Sequence, residues 1–180
     1  MNLVINFIGF QLGWVACVLG GAAGKPLLAV CAVVFILAVH LYRSNNVFAE
    51  LCIIFTAMAI GFVWESLVIS TDWLTYPLSS EVPGYAPIWL VAMWALFAST
   101  MNVSMAWLKK RWLSASVMGA VFGPLAFVAG EKLGAVIFLE RWYALLALAL
   151  GWAVLMPLLL WLADSFQRRY QFMEKIFIYL

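Results

Sequence analysis

An all-α integral membrane bundle of six transmembrane helices is the fold class this sequence predicts, and three observations predict it. Apolar runs of about twenty residues, the length a helix needs to cross a hydrocarbon core, recur along the chain. Charge is scarce: of 180 residues, 67% are hydrophobic and 10% charged, with a mean hydropathy of +1.06. That is too little polar surface to cover a soluble domain. Glycine, proline or basic clusters interrupt the runs where turns are needed. The runs are continuous, which excludes the apolar–polar alternation of a transmembrane β-barrel.

The first span is Leu3–Gly20, ended by the GGAAGKP stretch. It lacks a basic leader and its apolar core is long, so it reads as a retained helix and not a signal peptide. The second is Pro26–Tyr42, stopped by RSNN. The third is Val47–Ile69, which carries Glu50 near one end and Glu65 near the other. A turn-rich loop follows, with Pro77, Pro83 and Pro87, and the fourth span is expected over Ile88–Trp107, closed by KKR. The fifth is Leu113–Gly130 and the sixth Trp142–Ala163. The segment Glu131–Arg141 fits a helix continuation, an interfacial turn or a re-entrant piece. After the last span, Phe166, Tyr170, Met173, Phe177 and Leu180 recur at helical spacing among Gln167, Arg168, Arg169, Glu174 and Lys175. This predicts a separate amphipathic helix over 164–180, lying on the membrane surface and able to bind a protein partner. All of it forms one domain, and the sequence leaves the oligomeric state open.

Orientation follows from Lys and Arg placement. One side holds seven of them (Arg43, Lys109, Lys110, Arg111, Arg168, Arg169, Lys175), the other three (Lys25, Lys132, Arg141). Both termini are therefore expected in the cytosol, with the acidic, aromatic loop outside. Trp64, Trp73, Trp89 and Trp142 are expected in the outer aromatic belt, and Trp107, Trp112 and Trp161 in the inner one. Trp14, Trp94 and Trp152 fall at mid-membrane, where each indole N–H wants a partner.

Composition also limits function. No basic tract points to nucleic acid. Cys17, Cys31 and Cys52 lie in apolar runs without a CxxC pair and read as packing residues. A single histidine, His40, excludes sites built on two imidazoles, so neither metal nor cofactor is expected. No phosphate loop, serine elbow or HExxH motif is present.

The polar groups inside the spans carry what chemistry there is, because a buried carboxylate at membrane depth is costly. Folding the chain at RSNN brings His40 and Glu50 to one depth, with Asn6 and Asn102 in the same third of the membrane. These four form a candidate ligand-binding or proton-relay cluster, or simply satisfy one another. Ser99, Thr100, Asn102 and Ser104 make a polar patch on the fourth span, and Gln11 is a mid-membrane amide on the first. Both suit helix–helix hydrogen bonding or a cavity wall. Glu65 either pairs with Lys132 or frames an outward mouth with Asp72 and Glu81. Gly9, Gly13, Cys17 and Gly21, and likewise Ala115, Gly119 and Gly123, fall four apart and predict close helix packing. Pro124 should kink the fifth helix. No internal repeat is evident.

The run from Ala86 to Thr100 with Asn102, Ser104 and Trp107, the pattern GAVFGPLAFVAGEKLG over Gly119–Gly134, and Glu65-Ser66 at the end of the third span resemble a bacterial inner-membrane family of unknown function. The resemblance covers nearly the whole chain. It implies a small multi-pass protein with no assigned catalytic residue. Such proteins often accompany lipid-modifying enzymes, so it also implies a lipid-related role, with membrane lipids as partners. The reading that follows is a protein holding a lipid-like or small apolar ligand between helices. The alternatives are a small proton-coupled transporter using Glu50 and Glu65, or an intramembrane enzyme using Glu50 and His40.

Overall fold

The structure is a computed structural model; it describes residues 2–76, 78 and 82–178, with side chains described as far as Phe172. Six α-helices make up these residues: α1 (Leu3–Ala22), α2 (Pro26–Tyr42), α3 (Val47–Ile69), α4 (Ile88–Ala98), α5 (Trp112–Lys132) and α6 (Arg141–Ile178). The Asn2 side chain caps α1 by accepting from the Val4 amide at 3.0 Å. Pro26 opens α2 at a first-turn position that needs no N–H. Gly24, at φ +64°, makes the turn between α1 and α2. Four helices are long and apolar enough to cross a membrane: Leu3–Ala22, Val47–Ile69, Trp112–Lys132 and Arg141–Phe172. Large apolar side chains are exposed on the outer faces of these helices, as a lipid-facing surface requires.

The expectation of six full spans is corrected at α4, which stops at Ala98 and not at Trp107. Eleven helical residues rise about 16 Å, half of a hydrocarbon core. The polar patch ends the helix. The Ser99 hydroxyl donates to the Leu96 carbonyl (2.7 Å) and that of Thr100 to Phe97 (2.6 Å), taking up the last carbonyls from the side. Backbone bonds then shift to the tighter three-residue spacing, as from Thr100 to Phe97 and from Met101 to Ala98, and continue so to a 3-10 turn at Ala106–Leu108. α4 is nonetheless the centre of the fold. It packs on α1, α2 and α3, and Trp89, Leu90, Ala92, Trp94, Ala95, Leu96 and Ala98 are buried. A helix apolar all round is expected at such a place.

The other major packing pairs are α1 with α2, α3 with α6, and α5 with α6. The small-residue stripe of α5 meets α6 there: a methyl on Gly119 would overlap the Trp152 carbonyl. α5 continues unbroken through Pro124. In the ambiguous segment before α6, α5 continues as far as Lys132 and then gives way to a turn and a strand. Gly134 turns at φ +83°, and Ile137–Phe138 forms a short strand, β2, antiparallel to β1 at Leu74–Thr75. The Trp73 carbonyl accepts from the amides of Leu139 and Glu140, fastening this cap to the start of α6.

Two further expectations change. The segment after Ala163 is the continuation of α6 and not a separate interfacial helix. No breaker falls there, and Asp164 and Arg168, one turn apart, form an ion pair across the join. Of the amphipathic stripe, the side chains of Met173 and Phe177 and the whole of Leu180 lie outside the described residues. The aromatic belts also thin out. Trp142, Trp107, Trp112 and Trp161 are exposed, but Trp89 is buried against Gly21 and Tyr76, and Trp64 packs on Gly151.

Candidate functional site

One face of α3 positions both candidate carboxyls. Glu50, Ile53, Ile54, Ala57, Gly61, Glu65 and Val68 are buried, at the three- and four-residue steps of a helical stripe. The ends of this stripe reach two separate polar sites.

At the basic end His40, Glu50 and Asn102 of the expected cluster come together, while Asn6 bonds to Ser99 and Ser104 instead. His40 Nε2 lies 3.0 Å from Glu50 Oε2, and Asn102 Nδ2 donates to Glu50 Oε1 at 3.0 Å. With the imidazole neutral, Nε2 carries the proton toward the carboxylate. Two residues that sequence reasoning passed over extend the chain of bonds: the Lys109 ammonium donates to Asn102 Oδ1 (2.6 Å) and to Gln167 Oε1 on α6 (2.9 Å). Burial pulls the Lys109 ammonium below its usual range, against the pull of the Asp164 and Glu50 carboxylates. Asn6 holds the unwound stretch after α4. Its Nδ2 donates to the Ser99 carbonyl (3.1 Å), and its Oδ1 accepts from the Ser104 amide (3.2 Å) and hydroxyl (2.7 Å). Irregular backbone at membrane depth persists only where protein satisfies it, and Asn6 does that here. Asn6→Leu would orphan the buried Ser99 carbonyl, at about 1–3 kcal/mol, and two groups of the half-buried Ser104 at less. Its thermal unfolding midpoint in detergent should fall by several degrees, while Asn2→Ala, at an exposed cap, should shift it far less.

At the other end Glu65 is fully buried. Its Oε1 accepts from the Trp94 indole N–H (3.1 Å) and its Oε2 from the Tyr76 hydroxyl (3.4 Å). The expected Lys132 pair does not form; Glu131 beside it takes Arg141 instead, at 2.7 Å. Nor does Glu65 share an open mouth with Asp72, which lies exposed in a turn at φ +57°. Glu81 lies outside the described residues. Tyr76, in the loop, is a partner that no residue spacing signals. Burial first, and the Glu65 carboxylate second, hold its phenol well above the usual range, so it stays a donor. Ser66, next to Glu65, accepts from the Ala86 amide (3.1 Å) and pins the loop where α4 begins.

Beside Glu65 lies a cavity of about 420 Å³, between α1 and α4 on one side and α5 and α6 on the other. Trp14, Trp94 and Trp152, the three tryptophans expected at mid-membrane, all line it, with Phe10, Phe97, Phe127 and the methionines 93, 105, 118 and 156. Trp94 and Trp152 are stacked, centroids 4.9 Å apart. Phe7 and Gln11 on α1 and Phe122 on α5 are exposed at its rim. α1 and α5 flank this opening without packing as a helix pair. Of the sequence candidates, Gln11 and Glu65 belong to this cavity. His40, Asn6 and Ser99 line a smaller one of about 120 Å³ between α1 and α2. Glu50 and Asn102 stand behind His40, in the bond chain just described.

Long apolar helices, a half-length central helix and buried polar clusters between helices define a membrane-like helical protein. The chain belongs to DUF2878, a family of proteins of unknown function, whose sequence model matches residues 3–158. No curated protein and no solved structure matches it.

Proposed function

We propose that this protein holds a lipid-like, largely apolar ligand between its helices in the bacterial inner membrane, in service of lipid modification. The observation that carries the reading is the 420 Å³ cavity, whose rim residues Phe7 and Phe122 stand on the exposed faces of α1 and α5. Cavities of this size, mostly apolar with a few polar groups, are the usual form of small-ligand sites. The opening faces where acyl chains would lie, so a ligand enters sideways from the bilayer. The seven basic residues at the Lys109 end favour placing that end, and both termini, in the cytosol.

Transport along α3 between Glu50 and Glu65 is less well supported. The two are about 22 Å apart along the helix. The face between them is packed, with Ile53, Ile54 and Ala57 in one cluster with Trp94, Ala95 and Ala98.

Ala126 lines the cavity, and Ala126→Trp would fill much of it. Mass spectrometry of the protein purified in mild detergent should find a co-purifying lipid-like molecule that is lost from the variant. Deletion of the gene should alter the membrane lipid profile of the cell. Unchanged cargo in Ala126→Trp, with unchanged lipids in the deletion strain, would refute the reading.

A further inference from the structure

The cavity just described holds a carboxyl but no cation. Among the described residues Glu65 meets only neutral donors, Trp94 and Tyr76. Among the described residues neither Lys nor Arg lines the space; its other polar groups are the neutral amide of Gln11 and the uncharged indole N–H groups of Trp14, Trp94 and Trp152, the last of them without a partner. Most of the remaining wall is aromatic or thioether, with Phe10, Trp14, Phe97, Phe122 and Phe127 around the open volume. A carboxylate in a low-dielectric interior is costly unless a positive charge compensates it. Its field is weakly screened there and reaches a ligand several ångströms away without direct contact. Aromatic faces add attraction for a cation within about 6 Å of a ring centre. Glu65 is fully buried beside an apolar space, so a small ion would have to shed its water to enter, which an apolar body carrying the charge need not do. An anion meets repulsion from Glu65 and no basic partner.

Resting on the cavity reading above, we infer that its ligand is a lipophilic cation: an apolar body bearing a quaternary or protonated nitrogen, seated among aromatic rings with Glu65 as counter-ion. The aromatic rings and methionines hold the body, and Glu65 supplies the preference for positive charge.

The test uses the full-length protein in lipid nanodiscs, with empty nanodiscs subtracted. Radiolabelled tetraphenylphosphonium is the cationic probe and triphenylmethanol the neutral one. Saturable binding of the cation is expected, about tenfold tighter than that of the neutral probe. Glu65→Gln keeps an acceptor for Trp94 and should remove that preference, so that the cation binds no more tightly than the neutral probe. Should Glu65→Gln fail to fold, Phe122→Leu at the rim serves instead; it should weaken binding of the cation several-fold more than that of the neutral probe. If the neutral probe binds saturably and the cation no more tightly, the inference falls and the cavity reading stands. If neither probe binds, both fall.

Discussion

Glu50→Leu is expected to lower the thermal unfolding midpoint of the detergent-solubilised protein by about 6–20 °C. Removing one member of a buried polar pair costs about 3–5 kcal/mol, and each kcal/mol moves the midpoint by about 2–4 °C in a chain of this size. The loss is large because Glu50 is the centre of its cluster. Without it, His40 Nε2 and Asn102 Nδ2 lose their shared acceptor. Lys109 then holds an Asn102 side chain that is no longer anchored on α3, and the link through Gln167 to α6 loosens. Glu50→Gln provides the contrast. An amide oxygen still accepts from Asn102, and its NH₂ can donate to His40 Nε2 once the imidazole proton moves to Nδ1. Its midpoint should stay within a few degrees of the parent. Differential scanning fluorimetry on intrinsic tryptophan emission reads both variants. A leucine variant as stable as the parent would show that the cluster does not hold α2, α3 and the unwound stretch together.

Gly119→Leu is expected to be as damaging or worse. A Cβ at this position lies on the Trp152 carbonyl and close to the Met156 side chain. A backbone oxygen cannot rotate away, so α5 and α6 must separate, and overpacking of this kind costs about 1–3 kcal/mol or more. Two walls of the cavity separate with them. The expected result is a low yield of folded protein and a midpoint depressed by about 10 °C, taking the upper part of that range. Gly130→Ala, on the same helix, is the control. There a Cβ meets only Val136 Cγ1, at 3.7 Å, an ordinary contact. Relief of glycine's backbone entropy should leave that variant neutral or slightly more stable. Equal behaviour of the two would mean that the α5–α6 contact is not set by the small-residue stripe.

The hairpin at RSNN shows how far local sequence reaches. Its short turn forces His40 and Glu50 to one depth, and the structure places them 3.0 Å apart. Spacing of four likewise marked the faces on which Gly13, Cys17 and Gly119 are buried. Periodicity could not show where α4 ends, because Met101, Val103, Met105 and Ala106 prolong an apolar pattern past Ala98. Only Asn6, 93 residues away from Ser99 in the chain, makes the unwound turn affordable by bonding its free groups. Glu65 misled for a related reason. Lys132 matched it in depth, but depth along a helix axis says nothing about which neighbour faces it, and Trp94 with Tyr76 occupies that side.

What the sequence determined by itself is the helical membrane-like class, the helix starts and the hairpin that joins His40 to Glu50. These depend on composition, breakers and short loops, all of which act over a few residues. The half-length of α4, the β1–β2 cap, the Glu65 partners and the cavity were decided by tertiary structure alone. Each depends on side chains from distant helices meeting in one place, and apolar runs that are uniform all round carry no mark of which face meets which neighbour.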